Sequence, residues 1–245
     1  ENTRIHTKVG FLSQKKYNNM KNIKFIAEKD IYNLGIKGIY LTIEGMTNTY
    51  LDGTLNILDE DLSILINSYS LENLKQDPIL LGYRKLHEKV NVSNRKFISS
   101  PENLLLNLIK NKTLPSINAI VDIYNLISVK YKIALGAHDM KYISGNVTMR
   151  NTIGNELFIP LGQDSPKEVR ENLYAYIDDS NEIICLLEVR QVEKTKVTID
   201  TSDCFFIIQG NEETSLNYLK SATDELIFLI KKYCGGKENI LLEME

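Results

Sequence analysis

Tryptophan is absent from this 245-residue chain, and cysteine, histidine and proline are scarce. The three cysteines, Cys185, Cys204 and Cys234, lie far apart and form no C-x-x-C pair or Cys/His cluster. Their odd number and spacing argue against a disulfide framework and a structural zinc, and suit a reducing compartment. No apolar run approaches the ~20 residues of a membrane span, and no secretory apolar stretch opens the sequence. A cytoplasmic address is expected by elimination. Phosphate-loop, dinucleotide, zinc-protease, nucleophile-elbow and EF-hand signatures are all missing. No cofactor and no metal are therefore expected, and any chemistry would rest on positioned water and hydrogen bonds. Excess positive charge is lacking too. The formal net charge of -3 argues against a strong nonspecific binder of nucleic acid, DNA in particular.

What is present fits a folded protein: 43% hydrophobic and 25% charged residues. Residues 1–19 are polar and weakly periodic, so they are expected to be a tag or flexible arm. Residues 20–245 are expected to form one domain. Apolar alternation predicts strands over 22–27 and 38–44, and 3.6-residue periodicity predicts helices over 59–67 and 77–90. At Ser99-Ser100-Pro101-Glu102 an S-x-x-E capping box with proline in the first turn starts another helix, ending near Lys110. Ser116 is expected to cap the next, which ends near Val129. Beyond it the chain turns β-rich, with strands expected over 147–150, 156–161, 173–177, 182–190, 196–199 and 204–209. Asp178-Asp179-Ser180-Asn181 reads as a hairpin turn. A final helix over 215–233 carries Lys231 and Lys232 at its C-terminal end and stops at Gly235-Gly236. Helices first and strands later indicate an α+β fold, with enough short antiparallel strands to close a small barrel.

Two segments carry candidate chemistry. On the helix after Ser116, Asn118, Asp122 and Asn125 share one face at i, i+4, i+7, while Ile117, Ile120, Val121, Tyr124 and Ile127 fill much of the rest. Such a polar stripe on a largely buried helix either satisfies a structural network or lines a cavity. His138 follows in a Gly136-Ala137-His138-Asp139 stretch that reads as a turn leading into a strand. A histidine there either hydrogen-bonds locally or handles a proton or a water. His6 and His87 add nothing to a site at this level. Downstream, the block from Glu188 to Thr201 concentrates Glu188, Arg190, Glu193, Lys194, Thr195 and Lys196. Strict alternation would put Glu188 and Arg190 on one face, and a bulge would break that parity.

Taken together, Asn118-x-x-Val121-Asp122-x-x-Asn125, the Gly136–Asp139 stretch and Val197-Thr198-x-Asp200-Thr201 resemble the B3/B4 domain of the phenylalanyl-tRNA synthetase β subunit over roughly 80–210. The resemblance implies a small antiparallel β-barrel decorated with helices, carrying an editing site that hydrolyses mischarged tRNA. On that basis His138 and Glu193 are the candidate catalytic residues. Asn118, Asp122, Asn125, Arg190 and Thr195 are candidate substrate contacts. The chain is too short for a whole β subunit and resembles a free-standing editing protein acting in trans. The expected partner is the 3′-end of a mischarged tRNA, met by basic residues such as Lys194, Lys196, Lys231, Lys232 and Lys237. Neither a membrane nor DNA is an expected partner. The alternative on the same fold is a non-catalytic module that binds an amino acid or nucleoside.

Overall fold

The computed structural model describes residues 22–51 and 56–245. The expected N-terminal arm lies outside them. The chain runs through β1 (Phe25–Ala27), α1 (Lys29–Tyr32), β2 (Lys37–Glu44), α2 (Asn56–Ser68), α3 (Leu71–Gln76), α4 (Pro78–Lys89), α5 (Ser100–Asn111) and α6 (Ala119–Tyr131). There follow β3 (Ala134–Asp139), β4 (Val147–Asn151), β5 (Tyr174–Asp178), β6 (Ile183–Leu186), β7 (Arg190–Gln191), β8 (Cys204–Gly210), α7 (Leu216–Cys234) and β9 (Lys237–Met244). The fold is α+β, as expected. None of the helices among the described residues is long and apolar enough to cross a membrane.

The strands form two open sheets rather than the expected closed barrel. One is antiparallel, in the order β3-β8-β2-β9; the other, β1-β4-β5-β6-β7, is antiparallel except for the parallel β1–β4 pair. The central strands of the four-stranded sheet are buried on both faces, which alternation sorts. Ile39, Leu41 and Ile43 of β2, with Leu135, Ala137, Phe206 and Ile208, pack against α6 and α7. Tyr40, Phe205 and Ile207 point the other way and meet Phe25, Val147, Met149, Tyr174 and Tyr176 of the second sheet. The result is three layers: helices, a four-stranded sheet and a five-stranded sheet.

Several expectations shift for local reasons. Gly136 to Asp139 form no turn but lie in β3, paired with β8 from Ala134↔Gln209 to Asp139↔Cys204 and buried throughout. Burial on both faces erases the alternation that marks a half-exposed strand. Asn118, not Ser116, caps α6: its side chain accepts from the Val121 N–H at 3.1 Å. The capping box does not form. Ser99 caps α5 through its backbone only, and Glu102 instead pairs with Arg84. The strand expected over 156–161 is reduced to two single bridges, Leu157↔Glu182 and Pro160↔Val192. There the Glu156 carboxylate accepts from the Ile153 and Gly154 N–H groups, closing a turn. The strand expected over 182–190 breaks at Leu187, whose φ of 53° is left-handed. Residues 196–199 are a loop, in which the Thr198 N–H donates to Thr201 Oγ1 at 2.9 Å.

Candidate functional site

A cavity of about 490 Å³ opens at the seam between the two sheets, beside α5 and α6. That volume falls in the range of small-ligand sites. β3 and β8 supply its floor through Ala134, Gly136, His138, Ile207 and Gln209. Tyr176 and Cys185 of the second sheet face that floor, and Tyr124 and Asn125 of α6 close one side. The rim is exposed and basic, with Lys96, Asn103, Leu161 and Arg190.

His138 is fully buried, and its Nδ1 lies 2.8 Å from Thr195 Oγ1. Its Nε2 has no hydrogen-bond partner among the described residues. Burial pulls its pKa down from 6.5 to about 3, so the ring is neutral at physiological pH. Thr195 is also fully buried, and its carbonyl accepts from the Asp139 N–H at 2.9 Å. Asp139 in turn accepts from Thr201 Oγ1 at 2.7 Å, and so the loop carrying Thr195 is stitched to the end of β3. Gly136 lets the floor lie flat: a Cβ there would come within 2.2 Å of Gln191 Nε2. Gln209 accepts from the Tyr176 hydroxyl at 2.6 Å, and its own Nε2 has no partner among the described residues.

Behind the cavity lies a buried charged cluster. His87 Nε2 is 2.5 Å from a Glu188 oxygen, both side chains being 1% exposed, and His87 Nδ1 is 3.0 Å from Asn94 Oδ1. The Tyr174 hydroxyl donates to the other Glu188 oxygen. Desolvation alone pulls the His87 pKa down, yet the bonds and charge of Glu188, aided by Asn94, leave it raised. Glu188 is the one carboxylate among the cavity-lining residues.

The sequence-predicted residues divide accordingly. Asn125, His138 and Arg190 line the cavity, and Thr195 touches it through His138. Arg190 also lies with its guanidinium 6.0 Å from the Phe97 ring centroid. Asn118 and Asp122 serve the entry to α6: Asp122 accepts from Ser116 Oγ at 3.0 Å and the Ile117 N–H at 2.7 Å. Burial raises the Asp122 pKa against those bonds. Glu193 sits outside the lining. It pairs with Lys196 and accepts from the Gly162 N–H at 2.9 Å, and these two hold its pKa below the usual range. Through Gly162 it pins the rim segment carrying Leu161 and Gln163.

Four residues that the sequence did not single out belong to the site or its backing: His87, Tyr174, Tyr176 and Gln209. Signals for them exist. Tyr174 and Tyr176 sit two apart in a β pattern, hence on one face. Gln209 is the polar residue that follows the apolar run Cys204–Ile208. Four residues separate His87 from buried Tyr83 on one helix, so both take its inner face.

None of the curated protein sequences compared with this chain matches it. Among solved structures, an N-terminal fragment of the phenylalanyl-tRNA synthetase β-subunit from Pyrococcus horikoshii is similar, at 15% identity and a TM-score of 0.48. The alignment covers 91% of this chain and 52% of that one, so this chain spans about half the fragment's length. The family model of the B3/4 domain matches residues 89–235, a span that holds every residue lining the cavity. With well over half its length matched, this chain belongs to the B3/4 domain family.

Proposed function

We propose that the protein is an aminoacyl-tRNA deacylase, with the cavity receiving the 3′-terminal aminoacyl-adenosine of a mischarged tRNA. One observation carries the reading: a fully buried histidine with an unpartnered nitrogen stands among the residues lining a ligand-sized cavity, inside the span matched by the B3/4 domain. Buried polar atoms are almost always satisfied, so an orphan at a cavity floor marks a place where a ligand supplies the partner. The resemblance of the Asn118–Asn125 and Val197–Thr201 phrases to the synthetase editing domain gives the ligand class.

The chemistry asked of the site is modest. Water adds to the ester carbonyl, forming a C–O bond. The tetrahedral intermediate then breaks its bond to the ribose oxygen, which takes up a proton originating from the water. The products are a free amino acid and a tRNA with its terminal hydroxyl restored. An aminoacyl ester is already activated, and positioning plus stabilisation of the developing oxyanion supply the acceleration. His138 and Asn125 meet the reacting end, while Lys96 and Arg190 at the rim face the backbone phosphates. Glu193 acts indirectly, by holding the rim segment.

The test is deacylation of a panel of mischarged tRNAs by the full chain, beside His138→Leu and Glu193→Ala. Selective hydrolysis of one pairing is expected, largely lost in His138→Leu and reduced only a few-fold in Glu193→Ala. No hydrolysis across the panel would discard the deacylase in favour of a binding module.

A further inference from the structure

The pairing of His138 with Thr195 decides which ring nitrogen carries the proton. Both residues are fully buried, and Thr195 Oγ1 has the imidazole Nδ1 as its one hydrogen-bond partner among the described residues. Two arrangements of a neutral ring are open. If Nδ1 holds the proton and donates to Thr195, the threonine hydroxyl hydrogen has no acceptor, and Nε2 is an unused acceptor as well. If the hydroxyl donates to Nδ1, the proton sits on Nε2 and that single N–H is the only group left waiting. Each leaves one donor unmet, and the first leaves a buried acceptor unmet as well, which is costly enough to bias the equilibrium by roughly tenfold. The second arrangement leaves one orphan where the first leaves two.

We infer that Thr195 fixes this cavity-lining histidine as an Nε2–H donor, built to meet an oxygen acceptor on the ligand. This makes Thr195 a positioning residue and His138 a hydrogen-bond donor that keeps its proton throughout, not a base that removes one from water. The inference deepens the deacylase reading and rests on it for the identity of that oxygen, the ester carbonyl, whose charge grows as water adds. The main-chain bond from the Asp139 N–H to the Thr195 carbonyl, 2.9 Å, and the Thr201–Asp139 contact hold the hydroxyl in register with the ring. The orphan at Nε2 thereby has an account: it is a preset donor whose acceptor arrives with the ligand.

Two measurements on the full chain test this. Long-range proton–nitrogen spectra of histidine-labelled protein at neutral pH, with His138 assigned by its loss in His138→Gln, read the tautomer directly. The expected result is a protonated Nε2 and a bare Nδ1 in the wild type and in Thr195→Ser, with a larger Nδ1–H fraction in Thr195→Val, where only the ring's own preference remains. A proton on Nδ1, or on both nitrogens, in the wild type overturns the inference whatever the protein's substrate. On the hydrolysed mischarged tRNA, Thr195→Val is expected to lower kcat by about tenfold to a hundredfold with little change in KM, and Thr195→Ser to stay within about threefold. A folded Thr195→Val that turns over like the wild type removes Thr195's positioning role. Absence of hydrolysis by the wild type defeats the deacylase reading alone, because the spectrum still decides the tautomer.

Discussion

At the scale of single residues, the two buried histidines pull stability in opposite directions with pH. His138 has a folded pKa of about 3 against an ordinary 6.5. Between those values the unfolded chain binds the extra proton, so stability is full above pH 6.5 and drains away as pH falls toward 3, at up to about 1.4 kcal/mol per pH unit. Thermal unfolding of His138→Gln from pH 4 to 7 is expected to show a shallower acid loss than the wild type; parallel curves would refute the assignment. His87 is raised, so its contribution is complete below 6.5 and is lost as pH climbs through the raised value. His87 also sets the ordering of variants at Glu188. Glu188→Ala leaves His87 Nε2 and the Tyr174 hydroxyl facing no acceptor, and a loss of about 3–5 kcal/mol is expected in urea unfolding. Glu188→Gln is expected to cost much less, because its amide can donate to a neutral His87 ring while its oxygen still accepts from Tyr174.

At the scale of elements, caps explain where reading from sequence succeeds and fails. Helices α4, α5 and α7 were visible in the sequence because a polar residue, a proline or a glycine marks their ends: Asp77 accepts from the Ile79 and Leu80 N–H groups, and Ser215 from Tyr218. The start of α6 was displaced because Ser116 and Asn118 both suit the cap, and only the fold shows Ser116 turned to Asp122. That also removes Asn118 and Asp122 from the cavity while leaving Asn125, one turn further on, within it. β3 is the element least legible in the sequence. Its glycine read as a turn, yet Gly136 is there to admit Gln191 against the sheet. The cavity itself was legible only in fragments, since Tyr176 and Gln209 join His138 through pairings between strands far apart in sequence. These contacts also predict unequal caps. Asn118→Ala is expected to cost about 1 kcal/mol, whereas Ser99→Ala is expected to fall within about 0.5 kcal/mol of wild type. The reason is that Ser99 Oγ has no partner among the described residues, while Asn118 Oδ1 holds the Val121 N–H. Chemical denaturation of the two variants side by side checks the ordering, and equal losses would contradict it.

At the scale of the whole molecule, the layering decides which charges can act at the cavity. The helix layer lies on the far face of the four-stranded sheet from the five-stranded one, and α7 carries Lys231 and Lys232 there. Lys231 is paired with Glu238, Lys194 with Glu182 and Lys196 with Glu193, and none of these lysines lines the cavity. Lys96 and Arg190 are the two cations on the rim, and neither has an ion-pair partner among the described residues. On a molecule of net charge -3, a rim with two free cations gives a short electrostatic footprint rather than a general affinity for nucleic acid. Each cation that meets a phosphate of a single-stranded 3′-end contributes about 0.7 to the slope of log affinity against log salt. Replacing both Lys96 and Arg190 by alanine is therefore expected to weaken tRNA binding and to flatten that slope by about 1.4. Replacing Lys231 and Lys232 is expected to leave the slope unchanged, which makes the pair a control of equal charge. Filter binding of the two double variants across a salt series separates the outcomes. A slope that responds to Lys231 and Lys232 but not to Lys96 and Arg190 would place the tRNA on the helix layer and leave the cavity to a small ligand.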